Sequence, residues 1–401
     1  MKIAIVTSGF SASQPGGVSR VALSVSRLIE RMNPETVNLI SFSNSSKDKN
    51  SVRIFDPRTY LNKRISEKYD SGIFFTCIGT FGSDFEFLRY RKRRELKNVF
   101  QDYDLIFVVT GTLNFANVLP KTEAVVVIQC ATRLNWERKS QYKKMRFLRK
   151  TVLKLQVPLL RFQEFSVVNS RHYFLPENRR FYSWLKSRTL LEPFLWYPGT
   201  SARDLDINKR NRRFLDGPIV SIGRLNEPRK GWSRLFKSYE LARKLDPSLP
   251  DLHVIGWGEF GSQDKQRLLG VNKSGSIVVH RNLTDLEKEL YLRESSIYVQ
   301  ASYEEGLGLA MIEAMCFGLP VVTSETDGSV ECVRDKENGY LVKEGPDFEE
   351  RFARAIIKLR NENLYERGLS SRSIFLKHFS DSASLLKLDQ FLTGILGNNP
   401  K

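Results

Sequence analysis

The sequence predicts an α/β protein built from two doubly wound domains, and three observations lead there. A chain of 401 residues is too long for one ordinary hydrophobic core, and chains of that size divide. Short apolar runs alternate with segments whose apolar residues recur at helical spacing, the pattern of parallel strands joined by crossover helices. A highly charged stretch, RDLDINKRNRRFLDG at 203–217, runs into Pro218 and separates two such series as a linker would.

The first series opens with a buried strand at Ile3–Thr7 and a loop rich in Ser, Gly and Pro at Ser8–Gly17. A helix follows, with Val18, Val21, Ala22, Val25, Leu28 and Ile29 on one face. Further strands are expected at Val37–Ser41, Leu105–Thr110, Ala124–Ile128 and Phe165–Asn169, while residues 45–100 carry no pattern that places them. In the second series, strands at Ile219–Gly223, Leu252–Gly256, Ile277–His280, Ile297–Gln300, Val321–Thr323 and Tyr340–Val342 alternate with helices. Two of those helices are Leu309–Phe317 and a stripe of Trp232, Leu235, Phe236, Tyr239, Ala242 and Leu245. The expected boundaries are 1–200, a linker at 201–217, 218–378, and a final segment 379–401.

Charge is unevenly placed. The net value is +18, and residues 1–200 hold 33 Lys/Arg against 16 Asp/Glu while residues 201–401 hold 30 against 29. The excess on the first half implies an anionic partner there, such as a membrane surface. A nucleic-acid partner would call for a reading element, a recognition helix or an aromatic RNA-binding motif, and the sequence has none. No run approaches the ~20 apolar residues that cross a bilayer, and Ile3–Val6 is too short for a signal-peptide core. The expectation is a cytoplasmic chain, able to dock on the inner face of the plasma membrane. Cys77, Cys130, Cys316 and Cys332 form no C-x-x-C pair and read as small core residues.

The stretch Ala301–Thr323, ASYEEGLGLAMIEAMCFGLPVVT, carries the most chemistry. A strand ends at Gln300, a Gly-containing loop follows, and a helix begins near Gly308. The amides of Gly306, Leu307, Gly308 and Leu309 then face outward at the positive end of a helix, where a diphosphate binds well. Glu305 precedes that cluster, and Glu313 follows inside the helix after seven intervening residues. The stretch Ser221–Gly231, SIGRLNEPRKG, puts Arg224 and Lys230 near the carboxyl edge of a sheet, the edge where doubly wound domains bind ligands. There a guanidinium fork and a point charge suit a diphosphate. Gly16-Gly17 and Gly256-Trp257-Gly258-Glu259 are glycine turns after strands that allow close backbone approach.

These motifs resemble glycosyltransferase family 4. Glu305 and Glu313 fit its E-x7-E signature, EAMCFGLPVVT its E-A-M-a-x-G-x-P-V-V block, and SIGRLNEPRKG its G-R-L-x(n)-K-G motif. Val167–Ser170 resembles a strand end of its first domain, and Phe379-Ser380 the segment before a C-terminal helix that packs back across the cleft. The resemblance implies a GT-B fold, two Rossmann-like domains facing a cleft, and a retaining transfer of a hexose from a nucleoside-diphosphate sugar. It implies that Arg224, Lys230 and the 306–308 amides hold the phosphates, Glu313 the ribose and Glu305 the sugar. Gly17, Gly256 and Gln129 would lie near the donor, and a glycan or lipid-linked glycan would be the acceptor, as in bacterial surface polysaccharide synthesis. Gln129 stands where many members have a His; it can hydrogen-bond a hydroxyl but cannot carry a proton. The nucleotide, whether UDP, GDP or ADP, stays open, as do an inverting transferase and a sugar-nucleotide epimerase.

No metal is expected. Asp102/Asp104 precede a strand and Asp204/Asp206 fall in the linker, so both pairs read as solvated loop acids, and helix amides with two cations can do what a metal would. Of the four histidines, His280, at a strand end of the second series, is the candidate to approach a ligand. The run Trp136–Phe162 interleaves Lys143, Lys144, Arg146, Arg149, Lys150 and Lys154 with apolar residues, as an interfacial helix on an anionic membrane does. Arg89–Arg94, RYRKRR, is a second basic cluster.

Overall fold

A computed structural model describes residues 1–12, 16–32, 37–43, 48–136, 147–200 and 216–397, and of 147–149 the backbone alone. Its contacts divide the chain into two units, Met1–Gly199 with Ser384–Lys401, and Thr200–Ala383.

The first unit holds a seven-stranded sheet. Its strands are β1 (Ile3–Ser8), β2 (Val37–Phe42), β3 (Ile65–Asp70), β4 (Ile73–Ile78), β5 (Leu105–Thr112), β6 (Val125–Thr132) and β7 (Tyr173–Pro176), ordered β3-β4-β2-β1-β5-β6-β7. The central strands β1, β5 and β6 are buried along most of their length, which is why they read as unbroken apolar runs. Only β3 against β4 is antiparallel. The two are joined through Ser71 and Gly72 at φ 47 and 87, the left-handed pair that a two-residue hairpin turn requires. This hairpin occupies part of the region that the sequence pattern left unplaced. Its outer strand β3 is nowhere buried, so it has no apolar run to detect.

One expected strand is a helix. Phe165–Asn169 is not a strand: Phe165–Val168 closes the helix Phe147–Val168, and the strand beside β6 is Tyr173–Pro176. The β-branched pair Val167-Val168 favours a strand locally, but both side chains are buried in the unit's core from the helix, and tertiary packing overrides the local preference. The likeness of Val167–Ser170 to a strand end is corrected with it.

The second unit holds six parallel strands, β8 (Ile219–Ile222), β9 (Leu252–Gly256), β10 (Ile277–Arg281), β11 (Ile297–Gln300), β12 (Val321–Ser324) and β13 (Gly339–Val342), ordered β10-β9-β8-β11-β12-β13. Chain order runs outward from β8 on one side and from β11 on the other. The sheet therefore reverses between these two strands, and doubly wound sheets bind ligands beyond the carboxyl ends at such a reversal. Trp232, Phe236, Tyr239, Phe260 and Phe352 fill the core on one face.

The final helix is Asp381–Gly397. From Ser384 onward it belongs to the first unit, where Trp196 Nε1 donates to the Ser384 carbonyl at 3.1 Å and Phe391 stacks on Phe194 at 5.1 Å. All four cysteines are free and buried.

Candidate functional site

The turns after β8 and β11 meet at the sheet reversal of the second unit. Three glycines let them do so. Gly231 has φ 67, and a Cβ there would lie 2.1 Å from the Ala301 carbonyl oxygen. A Cβ at Gly256, the last residue of β9, would lie 2.1 Å from the Gly223 carbonyl oxygen. A Cβ at Gly223 would come within 3.2 Å of the Lys230 stem. Any larger side chain would push these turns apart.

The approach brings Lys230 onto Glu305. Nζ donates to Oε1 at 2.7 Å, and the side chains are only 14% and 7% exposed. Ser302 Oγ donates to the same carboxylate oxygen at 2.6 Å. Burial alone would push the Glu305 carboxyl up, but Lys230 and Arg229 outweigh it and hold the group below its ordinary range. Glu305 is therefore an ionised, oriented acceptor at neutral pH. Arg224 is more open: its guanidinium is half exposed and 4.0 Å from Glu227, while its carbonyl is fixed by Trp232 Nε1 at 3.1 Å.

Gly308 caps the helix Leu309–Cys316 with φ 90, a conformation that side chains with a Cβ rarely adopt. Among the described residues, no hydrogen bond uses the amides of Leu307, Gly308 or Leu309. Gly328 presses against this turn; a Cβ there would lie 2.6 Å from Leu307 Cα. Beside Gly308 sits Gln300, whose Oε1 accepts from the Tyr298 hydroxyl at 2.7 Å. Its Nε2 is buried with no partner, 4.0 Å from where a Gly308 Cβ would be. An orphaned donor costs roughly 1–3 kcal/mol, and one set beside unused amides points to an anionic ligand that would satisfy both. Glu313 pairs with Lys288 Nζ at 2.9 Å.

The turn is held by a residue of the helix Trp232–Leu245 that the sequence analysis did not single out. Arg234 is buried; it donates to the Ala301 and Ser302 carbonyls and to Glu344 Oε1 at 2.6 Å, and lies 3.8 Å over the Tyr303 ring. Sequence reasoning missed Arg234, Gln300, Lys288 and Gly328. Arg234, Lys288 and Gly328 act through long-range contacts that spacing does not record.

Gly17 opens the helix Gly17–Met32 of the first unit, and the neighbouring Gly16 has open space around it. Gln129 is buried; its Nε2 donates to Glu177, while its Oε1 has no partner. His280 packs with His253 and Tyr291 at 4.9 and 4.3 Å, and burial lowers its pKa. Lys143, Lys144 and Arg146 lie outside the described residues, as does Asp204/Asp206, and the side chain of Arg149 is not described. Lys150 lies on the helix Phe147–Val168. Asp104 Oδ2 accepts the Lys2 amide at 2.9 Å. Among the described residues no three His, Cys, Asp or Glu side chains group as metal ligands.

Residues 217–362 match the family described as Glycosyl transferases group 1. An uncharacterized glycosyltransferase of Haemophilus influenzae is 33% identical over 150 residues, 37% of this chain and 40% of that protein. A phosphatidyl-myo-inositol mannosyltransferase of Mycobacterium leprae is 30% identical over 159 residues, 38% of this chain and 40% of that protein. The matched part thus spans less than half the length of these curated relatives. Among solved structures, sucrose-phosphate synthase from Thermosynechococcus elongatus superposes with a TM-score of 0.66 at 17% identity, covering 99% of this chain and all of that one. The pneumococcal O-GlcNAc transferase GtfA, in complex with UDP and GlcNAc, gives 0.63 at 15% identity over 98% and 99% of the two chains. The fold of the chain is the two-domain α/β fold of these GT-B proteins, and residues 217–362 form its Glycosyl transferases group 1 domain.

Proposed function

We propose that the chain is a retaining glycosyltransferase whose group 1 domain binds a nucleoside-diphosphate hexose. The observation that carries this reading is the buried Lys230–Glu305 pair, which joins the turn after β8 to the turn after β11, where the unused 307–309 amides and the orphaned Gln300 donor lie. Such a turn has donors for a diphosphate and an ionised acceptor for sugar hydroxyls. Glu313, fixed by Lys288, takes the ribose. The acceptor hydroxyl attacks the anomeric carbon as the bond to the phosphate oxygen breaks. The electron pair leaves with the diphosphate, which also receives the hydroxyl proton. Charge then grows on the leaving oxygen, where Lys230, Arg224 and the amides stabilise it more in the transition state than in the ground state.

The test is incubation with UDP-, GDP- and ADP-hexoses. One of them is expected to raise the melting temperature by mass action and to release its nucleoside diphosphate, with a product of unchanged anomeric configuration by NMR. An inverted product would overturn the retaining assignment. Failure of every sugar nucleotide to stabilise or turn over would overturn the whole reading.

The acceptor, a glycan or lipid-linked glycan in this reading, falls to the first unit. Its helix Phe147–Val168 turns Val152, Leu155, Leu159, Phe162 and Phe165 outward, and Leu155 and Phe162 are 74% and 71% exposed. Lys150, Lys154 and Arg161 lie along one edge of this apolar stripe, which matches an anionic lipid surface. The opposite face is tied inward, with Gln156 accepting the Glu86 amide at 2.8 Å. Leu155→Glu with Phe162→Glu is expected to lower co-sedimentation with anionic vesicles by about tenfold or more while leaving the fold intact. Equal sedimentation of wild type and variant would remove the membrane from the proposal.

A further inference from the structure

The first unit contains a cavity of about 770 Å³ that the donor chemistry does not use. It opens beyond the carboxyl end of β4, where Thr80 and Phe81 form part of its wall. Six of its ten lining residues are cations, Arg64, Arg89, Arg91, Lys92, Arg93 and Arg94, and only Glu95 is an acid.

The cavity is built, not merely lined by solvated side chains. Arg93 is buried; its Nη1 donates to the Gly79 carbonyl at 2.7 Å and its Nε to Glu95 at 3.1 Å. The Gly79 amide in turn donates to the Arg64 carbonyl at 2.7 Å. Arg89 Nε holds the Ser83 carbonyl at 2.7 Å. These bonds fix the backbone on both sides. By contrast, Arg64, Arg91, Lys92 and Arg94 make no ion pair with any acid among the described residues. Charges that serve solubility spread over convex surface, whereas here they converge on a concavity that focuses their field. Such a cluster repels itself and is relieved by a polyanion. One carboxylate would leave most of the charge unanswered, while a diphosphate offers several oxygens to guanidinium forks. Phe81 and Leu88 add an apolar wall, and Leu61, 96% exposed, lies three residues from Arg64.

We propose that this cavity binds a diphosphate group, and that the diphosphate belongs to a lipid-linked acceptor. The second clause rests on the glycosyltransferase reading; the first does not.

Isothermal titration of the full chain with inorganic pyrophosphate and with farnesyl diphosphate separates the two sources. Arg91→Ser with Arg94→Ser, both exposed positions, tests the cavity, and Lys230→Ala tests the other anion site. The expected result is saturable binding that weakens about tenfold or more in the double variant, survives in Lys230→Ala, and declines with salt. Tighter binding of farnesyl diphosphate than of pyrophosphate assigns the group to a lipid. Equal affinities overturn the lipid clause and leave a free diphosphate site. Binding lost in Lys230→Ala but kept in the double variant, or no saturable binding at all, overturns the cavity. A chain that turns over no sugar nucleotide yet shows this pattern would refute the proposed transfer alone.

Discussion

Lys230→Ala is expected to lower turnover by about 10²–10³, the usual cost of removing one stabiliser of developing charge. The variant also disturbs Glu305. In the wild type that carboxylate is buried and held ionised by Lys230 at 2.7 Å, with Arg229 contributing. Without Lys230, burial pushes its pKa up, and the carboxylate takes a proton in a pH range where the wild type keeps it ionised. The sign for stability follows. Because the folded pKa of Glu305 is lowered, the stability it contributes is present above the ordinary carboxylate range and lost as pH falls through the folded value. In Lys230→Ala, where burial raises the folded value, the acid-side loss shrinks, and once that value passes the unfolded one the sign reverses and stability is lost as pH rises. Removing one partner of a buried pair costs about 3–5 kcal/mol, less here because Arg229 remains. Replacing both, Lys230→Met with Glu305→Leu, is expected to restore much of the stability and none of the turnover. Urea titration and single-turnover nucleotide release measure the two effects separately. Near-normal rates in Lys230→Ala or in Glu305→Gln would remove these residues from the reacting centre.

The second unit was the more legible in the sequence because its site is made of local turn chemistry. Gly308, Gly231 and Gly256 each stand where a neighbouring backbone or a positive φ excludes a Cβ, and Lys230 is one residue from such a glycine. The strands there are buried runs with clear ends. What the sequence withheld is what crosses the chain. Arg234 reaches residues 301 and 302, Lys288 reaches Glu313, and Gly328 packs against residue 307. Nothing in their own neighbourhood marks them. In the first unit the difficulty is different. The hairpin β3–β4 has an exposed outer strand, and only the Ser71-Gly72 turn between β-prone runs could have revealed it. Phe165–Val168 looked like a strand because two β-branched residues dominate four positions, although they close a 22-residue helix. RYRKRR was legible as charge but not as a cavity, because its concavity comes from Arg93 folding back onto Gly79.

Glu177→Gln is expected to stabilise the first unit above neutral pH by about 3 kcal/mol, and by nothing at pH 4. Glu177 follows β7 and is buried, with Gln129 Nε2 donating to it from β6 and no cation within ion-pair reach among the described residues. Burial pushes its pKa to about 7, and the Gln129 bond offsets only part of that. A carboxyl whose folded pKa is raised favours the fold while protonated. Its contribution is complete below the unfolded value of 4.5, declines as pH rises, and is gone above about 7. The gap of about 2.5 pH units at 1.36 kcal/mol each sets the expected magnitude. Glutamine keeps the shape and the acceptor oxygen and removes the titration, and the buried, unpartnered Oε1 of Gln129 offers its new amide an acceptor. Urea titrations of both proteins from pH 4 to 8, read by hydrogen exchange in peptides covering β6 and β7, should diverge as pH rises. A difference that stays constant with pH would mean that Glu177 ionises in the fold as it does in water. The Gln129–Glu177 bond would then be an ordinary charge-assisted one, with the carboxylate solvated by groups on neighbouring elements.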